Sequence, residues 1–162
     1  MTQLDIKFNV SKKLQDVQNF NLILEDFEYY KRNSHKKEHP RPANHFQKKT
    51  DSVSYYFGRD RFDTRNYQAR KEEIQHVHYR EASSAWEYPD GTPKPQWYCT
   101  SNTYLVYSYF EHNKCKYYYL IDFIVNSAHN NENAIYKESI SNYLNQAKEF
   151  RFSTINTPAL PS

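Results

Sequence analysis

Apolar positions near the start of the chain recur with helical spacing. Val10, Leu14, Val17, Leu24 and Phe27 fall three, four or seven residues apart, a spacing that lines one face of an α-helix. The pattern predicts a helix over Val10–Asn33 with Ser11 capping its start. Asn19-Phe20-Asn21 is its weak point, where the stretch can divide in two. The periodicity stops over Ser34–Ser54, where Pro40 and Pro42 impose extended backbone, so a long surface loop is expected there. Order resumes at Tyr55-Tyr56-Phe57-Gly58-Arg59-Asp60. From Glu73 to Arg80 the residue types read as a strand, with His76, His78 and Arg80 on one face.

A loop with Pro89, Asp90-Gly91, Pro93 and Pro95 comes next. Thr103–Phe110 and Cys115–Val125 then read as two strands joined by the turn Glu111-His112-Asn113-Lys114. Glu132–Arg151 predicts a second amphipathic helix, with Tyr136, Ile140, Tyr143, Leu144, Ala147 and Phe150 on its buried stripe. Strands grouped between helices indicate an α+β fold, an antiparallel β-sheet flanked by N-terminal and C-terminal helices and covered on one face. Residues 1–153 are expected to form one domain with a basic insertion loop at 34–54, and 154–162, with Pro158 and Pro161, a loose tail.

Composition narrows this picture. Aromatics reach 17% of the 162 residues, with 16 Tyr, 10 Phe and 2 Trp, while Gly numbers only 2. So few glycines argue against a β-sandwich of many short hairpins, whose turns need positive φ. Tyrosine can line a core or meet bases at a half-wet surface. The net charge of +3 is too small to imply nucleic acid alone. Its distribution is more telling: Lys31, Arg32, Lys36, Lys37, Arg41, Lys48 and Lys49 face only Glu38 in one stretch, leaving the remainder net acidic. Such a segment can follow a phosphate backbone or be an ordinary solvated loop. Cys99 and Cys115 form no CxxC, the start has no basic-then-apolar leader, and no apolar run is long enough to span a bilayer. Free thiols in a reducing cytoplasm, and no membrane, are the expectation.

Three readings of His76-Val77-His78 compete. The pair can offer two nitrogens to a metal, although a third ligand such as His129, Glu87 or Asp90 has no diagnostic spacing. It can move protons near neutral pH. It can also be structural, hydrogen-bonded on a half-buried face. In Phe57-Gly58-Arg59-Asp60, Gly58 frees the backbone, Arg59 can hold a phosphate, and Asp60 can orient the arginine.

Taken in order, FGRD, HVH, LVYSYF, YYYLIDFIV and the final helix resemble the YafO family of bacterial type II toxin–antitoxin toxins. The likeness starts near Leu24-Glu25-Asp26-Phe27 with Tyr30-Lys31-Arg32 and runs to about Phe152. Ser101 with Leu105-Val106-Tyr107 looks like a family strand, and His129 falls where a family histidine follows the last strand. Ser34–Ser54 departs from the pattern as an insertion. The resemblance implies a ribosome-associated endoribonuclease that cleaves translated mRNA and is neutralised by a cognate antitoxin. It also implies mechanistic kinship with the RelE-like toxins, together with their fold. No cofactor is expected, because the neighbouring 2′-hydroxyl of RNA supplies the nucleophile. On this reading His76 or His78 is the acid or base, with His129 as partner and Arg59 on the phosphate. Arg80 joins Arg59, Asp60 orients it, Tyr107 stacks on a base or gives a proton, and Lys36, Lys37, Lys48 and Lys49 rest on RNA. A non-catalytic RNA- or protein-binding module that blocks translation by occupancy is the rival, and a metal-dependent hydrolase a weaker third reading.

Overall fold

The computed structural model describes residues 5–34, 39–62, 67–125 and 134–157. Asp5–Val10 alternates polar and apolar residues and forms strand β1, with Ile6, Phe8 and Val10 turned inward. Val10 therefore ends a strand rather than starting the expected helix. Ser11 does act as a cap, for the short helix α1 (Lys12–Gln15): its Oγ accepts the Leu14 N–H at 3.3 Å. The anticipated break is real. Asn19 sits in the left-handed region at φ 62°, and α2 (Phe20–Asn33) begins directly after it. Helix α2 buries Phe20, Phe27, Tyr30 and Lys31 on one stripe.

The 34–54 segment departs from the surface loop expected of it. Its described part folds back through a short helix α3 (Asn44–Gln47) onto strand β2 (Phe57–Phe62). Gln47 is fully buried. Its side-chain amide bonds both the N–H and the C=O of Asp60, each at 3.0 Å. A glutamine amide copies the donor–acceptor pair of a peptide, so Gln47 does for this edge strand what a neighbouring strand would do.

Helix α4 (Tyr67–Lys71) leads into β3 (Gln75–Tyr79), and β4 (Tyr104–His112) pairs with β5 (Cys115–Ile124) as a long hairpin. The turn is tighter than four residues: Asn113 and Lys114 alone connect the strands, both at positive φ (49° and 62°). That geometry matches the twist of a two-residue hairpin. Scarcity of glycine did not prevent it.

The sheet order is β1-β5-β4-β3-β2. The pairs β5–β4, β4–β3 and β3–β2 are antiparallel, but β1 runs parallel to β5, from Asp5 opposite Cys115 to Val10 opposite Leu120. The sheet is therefore mixed, not antiparallel throughout as expected. It is also covered on both faces rather than one. Leu14, Phe20, Phe27 and Tyr30 meet Phe57, Val77, Leu105, Tyr107, Tyr118 and Leu120 on one side. Helix α5 (Ala134–Asn156) covers the other, where Tyr143, Leu144 and Ala147 pack on Val106, Ile121 and Ile124. Helix α5 runs past the expected end at Arg151 and takes in the start of the anticipated tail. Thr154 bonds the Phe150 carbonyl at 2.8 Å, and Arg151 ties α5 to Glu72 by two bonds of 2.8 and 3.0 Å.

Candidate functional site

Alternation along β3 decides which side chains share a face. Val77 enters the α2-side core, so His76 and His78 project to the opposite face. Their register partners on β4 are Val106 and Tyr104. The Tyr104 ring meets both imidazoles edge-on, at 5.4 Å from His76 and 4.8 Å from His78, and the two imidazoles lie 6.2 Å apart. On the next strand Arg61 stands opposite His76. Arg59 and Arg61 lie close enough that both push the His78 pKa down.

Burial, His76 and these two arginines together lower His78 from 6.5 to about 3. The imidazole is therefore neutral at pH 7. Its Nδ1 lies 2.8 Å from both the N–H and the carbonyl oxygen of Ser101, so either tautomer finds a partner at that nitrogen.

Arg59 is held from a separate segment. Residues 96–99 form a 3₁₀ turn (Gln96–Tyr98) that lies against β2. The approach is close because residue 58 is glycine: a Cβ there would stand 2.2 Å from the Cys99 carbonyl oxygen. Close contact, rather than an unusual backbone angle, is the use of Gly58. The Arg59 N–H donates to Cys99 O at 2.9 Å, and its Nε donates to Trp97 O at 2.6 Å. The guanidinium sits 4.6 Å from the Trp97 ring centroid, and Lys48 Nζ reaches the same ring at 5.2 Å. Arg59, half-buried Trp97, Lys48 and exposed Tyr98 thus form one cationic and aromatic strip.

Asp60 does not orient Arg59, as was expected of it. It is fully buried on the other face, where Tyr30 and Tyr107 donate hydroxyls at 2.8 and 2.7 Å and Lys31 Nζ donates at 2.7 Å. Burial lowers Lys31 from 10.5 to about 8, with Asp60 opposing the fall. Tyr107, wholly buried and bonded to Asp60, presents no ring face to a base in this arrangement. Arg80 is also committed elsewhere. Strand β3 ends at Tyr79, and the Arg80 guanidinium grips both Glu87 oxygens at 2.7 and 2.8 Å while lying over the Tyr55 ring. Lys49 is exposed. His129, Lys36 and Lys37 lie outside the described residues.

The structure thus gathers Arg59, His76 and His78, and brings Lys48 to them through Trp97. Sequence reading passed over Arg61, Tyr104 and Trp97. Arg61 was legible, since FGRDRF places a second arginine two residues from Arg59; Trp97 was not, because no local pattern joins it to β2. Among the described residues, no group of three or more His, Cys, Asp or Glu side chains is placed to hold a metal ion. No described helix is long and apolar enough to cross a membrane.

A family model for the toxin YafO of a type II toxin–antitoxin system matches residues 28–152. No curated protein and no solved structure matches the chain.

Proposed function

Given that the chain belongs to the YafO family of type II toxin–antitoxin toxins, we propose that it is an endoribonuclease that cuts translated mRNA on the ribosome in the cytoplasm. Membership implies an antitoxin partner that holds the toxin inactive. The observation that carries the reading is the face on which His76, His78, Arg59 and Arg61 converge, continued by Trp97 and Lys48. Basic side chains meet phosphates, and the exposed Tyr98 ring next to Trp97 offers a base something to stack on.

Cleavage by the neighbouring 2′-hydroxyl needs three services. Its proton must be removed, the charge growing on the phosphate must be balanced, and the departing 5′-oxygen must be protonated. Products are a 2′,3′-cyclic phosphate and a 5′-hydroxyl. A neutral His78 is in the form that accepts a proton, with His76 or His129 as the acid. The phosphate itself brings negative charge beside Arg59 and Arg61, which weakens their push on His78 and moves its pKa back toward the working range. Arg59, braced by Trp97, balances the phosphate charge. Lys48 and Lys49, with Lys36 and Lys37, extend the contact to ribosomal RNA.

One observation favours the non-catalytic rival: His76 and His78 are each only 7% exposed, and substrate must reach them. Induction without antitoxin, followed by mapping of mRNA ends, separates the two. New 5′ ends in translated messages, lost in His76→Ala, His78→Ala or Arg59→Ala, support the nuclease. Arrested translation with every message intact would make the chain a blocker by occupancy.

A further inference from the structure

Two side chains of β4 stand opposite the histidines, and they differ in kind. Val106, facing His76, belongs to the core under α5, where an aliphatic group is all that packing needs. Tyr104, facing His78, carries a flat ring that reaches beyond its own register position. An aromatic side chain on a sheet can touch both the residue directly opposite and the diagonal neighbour. Tyr104 does both. Its ring centroid lies 4.8 Å from that of His78 and 5.4 Å from that of His76, at interplanar angles of 88° and 66°. Each contact is edge-to-face, an arrangement that aromatic rings prefer over a face-to-face stack.

The imidazoles do not brace each other. Their centroids are 6.2 Å apart, too far for one ring to hydrogen-bond the other. His78 is pinned at Nδ1 by the Ser101 backbone, and the Ser101 hydroxyl in turn donates to the Tyr79 carbonyl at 2.6 Å. That pin fixes one corner of the His78 ring. Tyr104, itself only 8% exposed, bears on the same ring from β4 and on His76 beside it. A phosphate cleaved by its neighbouring hydroxyl needs a base and an acid on opposite sides of the phosphorus, each within hydrogen-bond reach of its oxygen. One rigid ring in contact with both histidines sets their separation and their tilt together.

We propose that Tyr104 is a positioning residue of the cleavage site, whose ring holds the His76 and His78 imidazoles at the spacing and tilt that proton transfer with the RNA requires. It acts through the two histidines and not on the substrate. The ring carries the role, so the hydroxyl is dispensable. The inference rests on the reading of the chain as an endoribonuclease with His78 as base and His76 as acid.

Single-turnover cleavage of mRNA on programmed ribosomes tests it, with the full chain and two variants. Tyr104→Ile keeps a strand-forming residue but removes the ring. Its cleavage rate should fall roughly 10- to 100-fold, while binding of a message with a 2′-O-methyl group at the cut site stays as in the parent. Tyr104→Phe, which restores the ring alone, should cut within about twofold of the parent. An unaltered rate in Tyr104→Ile overturns the proposal, and so does a loss of binding that accounts for the whole loss of rate. A loss in Tyr104→Phe as deep as in Tyr104→Ile also overturns it, and would give the role to the hydroxyl, whose charge state Arg59 senses. Nuclear Overhauser contacts from the Tyr104 ring to both imidazoles in the parent chain check the geometry without any variant, and their absence overturns the proposal whether or not the variants fold. The nuclease reading fails differently: a parent chain that cuts no message removes that reading and the role of Tyr104 with it, whereas a cutting parent with an equally fast Tyr104→Ile removes only the role of Tyr104.

Discussion

Lys31 Nζ lies 2.7 Å from Asp60 Oδ2, and both side chains are shut away from solvent, at 1% and 0% exposure. The pair joins α2 to β2 under a roof of Tyr30, Tyr107 and the Pro40 carbonyl. Breaking one half strands the other. Lys31→Met or Asp60→Asn alone should cost about 3–5 kcal/mol in urea unfolding. The double variant should cost less than the two singles combined, because it removes both charges. Strict additivity would show that the pair is not coupled.

Acid should weaken the fold through two histidines. Burial and nearby cations hold His78 at about 3 and His39 at about 4, against 6.5 for an exposed imidazole. Between those values and 6.5 the unfolded chain binds protons that the folded chain refuses. Stability is therefore present above 6.5 and is lost as pH falls toward 4. Urea midpoints measured from pH 7 to pH 4 should decline, and His78→Gln should flatten the curve. An unchanged slope in that variant would argue against a buried neutral His78.

Gly58→Ala has no room. The added methyl carbon would stand 2.2 Å from the Cys99 carbonyl oxygen, so the 96–99 turn must move off β2. A loss of about 1–3 kcal/mol in thermal unfolding is expected from overpacking. Because that turn carries Trp97, Arg59 should also lose its bond to the Trp97 carbonyl. A variant as stable as the parent would show that the turn adjusts freely.

Arg59→Lys keeps the charge but loses the planar stack on Trp97 and the Nε bond. If Arg59 balances the phosphate, single-turnover cleavage of mRNA should slow by roughly 10- to 100-fold, with little change in melting temperature. Lys48→Ala should mainly weaken binding, most visibly at low salt, and make what remains less salt-dependent. Cleavage unaffected by Arg59→Lys would move the phosphate contact to Arg61.

The hairpin turn can be improved. Lys114 occupies φ 62°, where glycine is favoured. Lys114→Gly, giving Asn-Gly, should stabilise the chain by about 0.5–1 kcal/mol. Destabilisation would mean that the Lys114 side chain contributes contacts the turn geometry does not reveal.

Local periodicity made much of the chain legible without coordinates. The 3.6-residue spacing of Leu24 and Phe27, and of Tyr143, Leu144 and Ala147, marked α2 and α5, and the break at Asn19 followed from residue type. Alternation at Gln75–Tyr79 put His76 and His78 on one face, and the order of motifs identified the family. These are properties of neighbours, and neighbours are written side by side. The tertiary structure alone decided what depends on distant partners. It placed β1 parallel to β5, across more than a hundred residues. It gave Asp60 to Lys31, 29 residues away, rather than to adjacent Arg59, and gave Arg59 to Trp97, 38 residues away. A buried carboxylate goes to whichever donors the fold brings into the same dry space, and no spacing in the sequence records that choice.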